Sequence, residues 1–519
     1  MKKLIYILSV AAVAWTFAAC SLDQQPGGSS ITEEQYQNMD DAAEGSVRGI
    51  YTLLYAYGGD HDVFGQRAID MYGDLLCGDM AMSTQNYGWF VSDENMQTYG
   101  RRAYFWAYYY DIIRQCNKTI NALEAQGLPS LEPKTPLTED EAKRGMYYAE
   151  VLTIRGWAYA GLLRYFTLPP ANMDLDLEAV PIYTEVDTKG DTIKGAPRAS
   201  VGDVYLRVEE DLLTAIDYFE VYWMVKRESK IEMNADIARI TLAYAYLNKC
   251  DYTNALKYAQ DAISTTTATL LPVSEVLTTG FNDISNNDWI WGEDVTVVNT
   301  TALASFFGQC DIFSYSYASA GDVKGIDANL YKEIQDMKWD IRAFWWCNYA
   351  NSGASKASTY NYAPDGKFYS ATSTKLQGDR DWLSDNVYMR LELAYLIAAE
   401  AACRLHDDAT ALAYLFEITD RRVIPSDAAA ELYDAWKTEL TDNEDILYAI
   451  RYNWRVELWG EGYGLQTFRR YGVNVTLGEN HLRSTKTIAP VGRQFTFEIP
   501  TGEQYYNPFI RSTTEMAAQ

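Results

Sequence analysis

The sequence predicts a mainly α-helical protein, in which a scaffold of tetratricopeptide-like helical repeats carries a loop-rich lobe with short strands. Two observations lead to this prediction. Amphipathic helical periods with small residues at close-packing positions recur in several parts of the chain, whereas residues 265–388 lack such periods over long stretches. With 519 residues, of which 48% are hydrophobic, the chain can bury a large core without a framework of disulfides.

Three segments show the helical pattern. In 145–168, apolar residues recur at intervals of three and four until Pro169-Pro170, which cannot continue a helix. Residues 235–264 place small residues on both sides of a polar turn, which is typical of a tetratricopeptide helix–turn–helix of about 34 residues. Residues 390–422 repeat this pattern. Because the repeats are not in tandem, they do not predict a simple solenoid.

The lobe spans residues 265–388 and is rich in Thr, Ser, Asn, Gly and Tyr. Short β-like runs occur at 289–291 and 295–298, and residues 347–381 lack any helical period. Loops of this length in a folded chain are usually functional, and their aromatic content argues against simple disorder. A smaller loop of the same kind covers residues 82–100. We therefore expect functional loops in these two regions.

The N-terminus has the features of a bacterial lipoprotein signal. Two lysines precede an apolar stretch that is too short for a comfortable membrane span, and two alanines stand directly before Cys20. We interpret residues 1–19 as a signal peptide and Cys20 as the lipid attachment point; an ordinary secretory signal with a chance cysteine is the alternative. We interpret residues 20–35 as a polar, Gly-rich tether that precedes residues 36–519.

Charge and motif content narrow the classes of function. The chain has 44 Lys and Arg against 71 Asp and Glu, a net charge of −27 that repels phosphate backbones, so we expect no nucleic-acid partner. Of the three histidines, we interpret His406 and His481 as solvated surface residues and His61, between two aspartates, as a candidate site residue. No GxSxG, HExxH or P-loop motif is present. We therefore predict no catalytic residue, no metal and no cofactor.

One pair of carboxylates has two interpretations. Glu457 and Glu461 share a face of a predicted helix, four residues apart. A pair of carboxylates is what a glycosidase uses as acid and base. Because Arg455, Arg469 and Arg470 are near in the sequence, we interpret the pair instead as a structural ion cluster with these arginines.

Aromatic side chains in polar loops are the best candidates for a binding site. Tyr87, Trp89 and Phe90 lie in one such loop, and Tyr315 and Tyr317 lie in a Ser-rich loop. Flat Trp and Tyr rings pack against the C–H faces of sugar rings, while nearby Asn and Asp bind hydroxyl groups. Such residues usually belong to the core in a helix, but a polar loop favours the surface. We therefore predict that these five residues bind a ligand.

Several short motifs follow one another in a recognisable order. They are Trp106, Tyr110, Ile113 and Asn117; Ile154-Arg155-Gly156 leading to Leu168-Pro169; Asp340-Ile341-Arg342; Met389-Arg390-Leu391 leading to Ala399-Glu400-Ala401; Arg455-Val456-Glu457-Leu458 with Glu461-Gly462; Arg469-Arg470-Tyr471-Gly472; Ile499-Pro500; and Asn507-Pro508. Together with the lipoprotein signal, this ordered set resembles the SusD/RagB family of nutrient-binding outer-membrane lipoproteins of Bacteroidetes. The chain departs from the family pattern at Gly464 and Thr467, where Arg and Asp are common, and at its tail.

The resemblance implies that residues 36–519 form a single SusD-like domain, with four tetratricopeptide-like units and a variable ligand-binding lobe at about 265–388. It also implies a non-catalytic protein, lipid-anchored in the outer membrane and exposed on the cell surface. Such a protein binds an oligosaccharide or polysaccharide and delivers it to a SusC-like TonB-dependent transporter. A peptide ligand is the alternative within the family, and a surface glycosidase is the alternative outside it.

Overall fold

The computed structural model describes residues 42–95, 99–132, 137–168, 174–185, 187, 195–222, 229–348, 360–369, 382–483, 486–492 and 495–510. The signal peptide, Cys20 and the tether lie outside the described residues, as do Pro169-Pro170 and most of 347–381. The predictions made for these segments stay predictions.

The described part of the chain is mainly helical, as predicted, with sixteen α-helices and eight short strands. The helices are α1 (Ala42–Ala56), α2 (Gln66–Cys77), α3 (Val91–Glu94), α4 (Tyr99–Gln126), α5 (Glu139–Phe166), α6 (Val201–Tyr222), α7 (Ala235–Lys249), α8 (Tyr252–Thr265), α9 (Phe306–Cys310), α10 (Ala328–Met337), α11 (Leu391–Arg404), α12 (Asp408–Thr419), α13 (Asp427–Glu439), α14 (Asn443–Glu457), α15 (Gly464–Tyr471) and α16 (Thr501–Tyr506). The strands are β1 (Met80–Met82), β2 (Glu178–Pro181), β3 (Arg198–Ser200), β4 (Trp289–Glu293), β5 (Lys324–Ile326), β6 (Asn386–Arg390), β7 (Val475–Thr476) and β8 (Thr487–Ile488).

The three predicted helical segments are confirmed. The first is α5, where the side chains and backbone N–H groups of Thr138 and Glu141 form a capping box. The segment 235–264 is the helix–turn–helix α7–α8, and Asp251 caps α8 by accepting the N–H of Asn254 at 3.2 Å. The segment 390–422 contains α11 and α12, with Asp407 as the N-cap of α12.

Successive helices pack side by side to form the scaffold. Each helix contacts the next one in the series α1, α4, α5, α6, α7, α8, α11 and α12. Where α7 meets α8, small residues such as Ala243, Ala255 and Ala259 have no exposed surface. Side chains of this size let helices approach closely, as the sequence pattern predicted. Helix α2 is buried over its whole length and packs against α15.

Two antiparallel strand pairs position the loops of the lobe. Strand β1 pairs with β5 in the register Met80↔Ile326 and Met82↔Lys324, so the loop after β1 leaves beside the loop before β5. Strand β4 pairs with β6, with Glu293 opposite Asn386. The loop after β4 therefore lies beside the segment that precedes β6. In both cases residues more than 90 apart in sequence meet at one end of a short sheet.

One predicted β-like run is not a strand. Residues 295–298 lead into a turn in which the Asn299 side-chain oxygen accepts the N–H of Thr296 at 2.6 Å. Val297 and Val298 are 79% and 91% exposed. β-branched residues favour strands chiefly through packing against neighbours, and among the described residues no strand pairs with these two valines.

Glu457 and Glu461 lie in a buried ion network. Its described members are Arg342, Lys367, Arg390, Arg422, Asp288, Asp340, Glu392, Glu457 and Glu461. A carboxylate oxygen of Glu457 lies 2.8 Å from Arg422 and 3.2 Å from Arg390. Burial of Glu457 favours its neutral form, but the arginine charges outweigh burial and hold its pKa well below the usual range.

The prediction that Arg455, Arg469 and Arg470 pair with Glu457 and Glu461 was wrong. Arg455 forms an ion pair with Asp79 at 2.7 Å, and Arg470 binds Glu400 at 2.8 Å. Arg469 donates to backbone carbonyls at the end of α5. These arginines are near the glutamates in sequence, but their side chains leave the helices in other directions. The cations that reach Glu457 come from distant segments.

Candidate functional site

Two loops that were predicted separately form one surface. We name residues 83–90 loop A and residues 311–323 loop B. The N–H of Ser83 donates to the carbonyl of Val323 at 3.1 Å, which extends the pairing of β1 with β5. Further along, the Thr84 hydroxyl donates to the Gly321 carbonyl at 2.8 Å. The strand register thus places the aromatic residues of both loops side by side.

A buried carboxylate fixes the tip of loop A. Asp322 has no exposed surface and accepts the backbone N–H of Tyr87 at 2.9 Å and that of Gly88 at 3.0 Å. The N–H of Asn86 points to the same carboxylate. Gly88 has φ +87°, a conformation that favours glycine. Charge-assisted hydrogen bonds to three consecutive N–H groups determine how the neighbouring rings are presented.

Four rings cluster on this surface. The Tyr317 ring lies 5.2 Å from that of Tyr87, 6.0 Å from that of Trp89 and 5.2 Å from that of His61, measured between centroids. The His61 ring lies 5.1 Å from that of Trp89. Tyr87 is 63% exposed and Tyr317 is 9% exposed. The cluster therefore has a buried base and one ring that projects into solvent.

His61 belongs to this cluster, in agreement with its selection as a candidate site residue. Its Nδ1 lies 3.0 Å from the Tyr317 hydroxyl. Its backbone carbonyl accepts the amide of Gln309 at 2.6 Å, and Gln309 in turn accepts the ammonium of Lys324 at 2.9 Å. Burial lowers the pKa of Lys324 to about 8. This chain of polar contacts holds the imidazole against the base of the cluster.

A second pair of rings lies beside loop B. Tyr315 is 46% exposed, and its ring centroid lies 6.5 Å from that of Trp382. The Trp382 indole N–H donates to the Tyr315 carbonyl at 3.0 Å, and the Thr300 hydroxyl donates to the Trp382 carbonyl at 2.9 Å. Sequence reasoning missed Trp382. The signal that could have found it is a Trp in the polar stretch just before β6.

The two halves of the chain match models of one family. Residues 38–242 match the model of a SusD-like group described as starch-binding and associating with the outer membrane. Residues 313–514 match the model of the SusD family. The chain belongs to the SusD family.

The comparisons with individual proteins agree with this family. A SusD-like protein of Bacteroides ovatus is 29% identical over 167 residues, which is 30% of this chain and 27% of the relative. The match thus spans about a quarter of that relative's length. Among solved structures, a SusD-like carbohydrate-binding protein of Bacteroides vulgatus has a TM-score of 0.72 and 21% identity, and the match covers 91% of this chain and 97% of the other. A SusD superfamily protein of Bacteroides thetaiotaomicron has a TM-score of 0.72 and 22% identity, with 91% and 99% covered.

In this SusD-family protein, two of the five predicted ligand-binding residues are buried: Tyr317, at the base of the ring cluster, and Phe90. Phe90 is 1% exposed, and its ring lies 4.8 Å from that of Tyr72 and 6.1 Å from that of Phe64. Its φ of +68° makes the chain reverse direction just before α3. The reversal directs the ring into the core, so Phe90 supports loop A from below.

The interpretation of His481 as a solvated residue was wrong. Its side chain is fully buried, with Nδ1 2.9 Å from Glu94 and Nε2 3.2 Å from Asp327. Burial opposes the charged imidazole, but hydrogen bonds to Asp327 and Glu94 outweigh burial and raise the pKa of His481. His406 is exposed, as predicted.

Two carboxylates near the second ring pair have raised pKa values. Burial raises the pKa of Glu293 to about 7 and that of Asp385 to about 6. Glu293 accepts the Asn386 amide at 2.8 Å, and Asp385 accepts backbone N–H groups of Ile284 and Val295 at 2.8 and 2.7 Å. Their oxygens thus serve to tie the strand ends together.

The described residues include neither a candidate metal-binding cluster nor a candidate membrane-spanning helix. They contain no group of three or more His, Cys, Asp or Glu side chains arranged to hold a metal ion. Within the same part of the chain, no helix combines the length and the apolar character that crossing a membrane requires.

Proposed function

We propose that this SusD-family protein is a non-catalytic surface protein that binds an oligosaccharide through loops A and B. The observation that carries the proposal is the ring cluster at their junction. In it the exposed Tyr87 ring stands on a tip that Asp322 holds by three backbone N–H groups. Trp89, Tyr315 and Tyr317 complete the aromatic set, with Trp382 beside Tyr315.

Physical chemistry supports a sugar as the ligand. A ring held in place by its backbone offers a flat apolar face at little cost in side-chain entropy, because Tyr has few rotatable bonds. Burial of a sugar face against it stabilises a complex by roughly 25 cal/mol per Å² of apolar surface, about 1–2 kcal/mol for each sugar unit. Several such contacts give an additive affinity that still allows release. The family model is described as starch-binding, and the similar structure from Bacteroides vulgatus is that of a carbohydrate-binding protein, which favours the same ligand class.

A binding screen of the purified full chain tests the proposal. The probes are starch, xylan, mannan and their oligosaccharides, with a peptide digest as the competing ligand class. We expect retention by at least one polysaccharide in affinity electrophoresis and reduced retention in Tyr87→Ala. Tyr505→Ala is the matched control, because Tyr505 is 81% exposed on α16, outside both loops. Binding of the peptide digest alone would contradict the glycan proposal, and release of reducing ends from a polysaccharide would favour a glycosidase.

We further propose that Cys20 anchors the protein by lipid in the outer membrane, and that the bound oligosaccharide passes to a SusC-like TonB-dependent transporter. The family description supports the membrane association. Cys20→Ala should then leave an unprocessed precursor or release the protein from the outer-membrane fraction. Mild detergent extraction of the wild type should co-purify a large β-barrel transporter. Lipid labelling that persists in Cys20→Ala would contradict the anchor, and repeated recovery of the protein alone would contradict the partnership.

A further inference from the structure

A cavity lies in the helical scaffold, and none of the residues that line it belongs to loop A or loop B. Its volume is about 50 Å³. Trp157, Ala160 and Arg164 line it from one face of α5, three and four residues apart. Thr241, Tyr244 and Ala245 are among the residues of α7 that line it from the other side. The gap exists where small side chains, Ala160 and Ala245, occupy positions at which larger ones would fill it.

The cation at this cavity has few partners. Among the described residues, Arg164 makes one side-chain hydrogen bond, a long one of 3.5 Å to the Tyr109 hydroxyl, and no ion pair. Asp70 is the carboxylate whose charge acts on it, but Asp70 is already bound by Arg67 at 2.9 Å and by Gln66 at 2.8 Å. A guanidinium has five N–H donors, and Arg164 is partly exposed, so most of its donors are open to water or to an anion that enters the cavity.

Two hydroxyl groups in the cavity wall also lack partners. Thr241 and Tyr244 are 6% and 9% exposed, and neither hydroxyl makes a hydrogen bond to another described residue. A buried polar group without a partner is destabilising, because it has lost its hydrogen bonds to water. Such groups are therefore rare unless water or a ligand satisfies them. Met389 and Leu393 provide an apolar wall in the same cavity.

We propose that this cavity binds a small carboxylate, of the size of acetate or propionate. Its charge would pair with Arg164, its oxygens would accept the hydroxyls of Thr241 and Tyr244, and its alkyl group would lie against Leu393 and Met389. One water occupies roughly 10–15 Å³ of such a cavity, so the site takes about four or five heavy atoms. A peptide terminus or a sugar is too large. One guanidinium matches one negative charge, whereas a dianion such as phosphate would keep an unmatched charge.

Saturation-transfer NMR of the acetate methyl group tests this site on the purified full chain. We expect saturable transfer from acetate and propionate, with benzoate excluded by size. Arg164→Gln should weaken acetate at least tenfold. Tyr244→Phe and Thr241→Val each remove one hydroxyl at nearly constant volume, so they should weaken acetate about threefold or more without unfolding the protein. Ala245→Leu should abolish binding by filling the cavity.

Arg421→Gln is the matched control, because Arg421 is a partly exposed arginine on the other side of the repeat series, paired with Glu417. It should leave acetate binding unchanged. The proposal is overturned if the saturation transfer to acetate does not level off as the acetate concentration rises, which would mean that the cavity holds water only. It is also overturned if Tyr244→Phe and Ala245→Leu, both folded, bind acetate as the wild type does. Neither result bears on the glycan site, because the cavity shares no residue with it.

Discussion

The carboxylate of Asp322 accepts the backbone N–H of Tyr87 at 2.9 Å, across 235 residues of sequence. The carboxylate is buried, whereas the Tyr87 ring is 63% exposed. A charge in the interior thus fixes the position of a ring in solvent. Loop A depends on this contact for its shape, because loops without regular hydrogen bonds hold their conformation only through such specific acceptors.

Removal of this acceptor should reduce ligand binding more than removal of the exposed Tyr87 ring. Asp322→Ala leaves three N–H groups of loop A without their shared acceptor, at a cost of roughly 1–3 kcal/mol for each group that water does not reach. We expect the loop to lose its fixed shape. The affinity for the starch oligosaccharide, or for another glycan that the screen identifies, should fall at least tenfold. Hydrogen exchange should rise at residues 86–88 and stay unchanged in α7 and α8. Wild-type exchange at 86–88 in the variant would contradict the role of Asp322.

The rings themselves should separate into two classes. Tyr87→Ala removes an exposed ring and should weaken glycan binding about three- to tenfold with nearly unchanged thermal stability. Trp89→Ala should weaken binding about tenfold or more, since each 1.4 kcal/mol is a factor of ten. It should also lower the melting temperature, because Trp89 is only partly exposed and contacts His61 and Tyr317. Differential scanning calorimetry measures the melting temperature, and isothermal titration calorimetry measures the glycan affinity. Tyr505→Ala is the exposed-ring control. Wild-type affinity in both loop variants would place the site elsewhere.

Local sequence was sufficient to predict the helices of three segments and the aromatic loops. Periodicity and caps such as Asp251 and Asp407 depend on neighbours within a few residues, and the predicted helix–turn–helix units formed where expected. The polar setting of Tyr87 and Tyr315 likewise predicted their exposure correctly. In each case the decisive interactions are close in the chain.

The remaining features depend on contacts between distant segments. His481 lies in a polar stretch that resembles a surface loop, yet its two carboxylate partners are 387 and 154 positions away in sequence. Asp322 and Trp382 gain their roles only when β1 meets β5 and β4 meets β6. Phe90 was misplaced because a single positive φ reverses the direction of its side chain. No local pattern contains this information.

The buried ion network should be sensitive to the loss of one charge. Glu457→Gln keeps the shape of the side chain but leaves Arg390 and Arg422 with less negative charge in the core. Breaking a buried pair in this way typically costs 3–5 kcal/mol. We expect a clear fall in the denaturation midpoint. Glu417→Gln is the matched control, since its pair with Arg421 is about half exposed and should be worth less than about 1 kcal/mol. Equal effects of the two substitutions would contradict a stabilising role of the network.

The buried His481 should make stability depend on pH in a defined direction. Its folded pKa lies above its unfolded value of about 6.5, because Glu94 and Asp327 favour the imidazolium. The folded state therefore binds more protons than the unfolded state between these two pKa values. Stability from this group is fully present below about pH 6.5 and is lost as the pH rises through the folded pKa. Glu94 and Asp327 have lowered pKa values, so their contribution is present above about pH 4 and is lost in stronger acid.

Thermal unfolding of the wild type and His481→Gln between pH 5 and pH 9 measures this effect. We expect the wild type to be more stable at pH 6 and the difference to shrink as the pH rises, because the wild-type imidazole becomes neutral as well. Buried Lys324 and Lys367 have pKa values of about 8 and titrate in the same window, but they are present in both proteins and cancel in the difference. His406→Gln is the matched control, because it removes an exposed histidine that lies outside this buried cluster. A difference between wild type and His481→Gln that stays constant from pH 6 to pH 9 would mean that His481 is neutral in the folded protein.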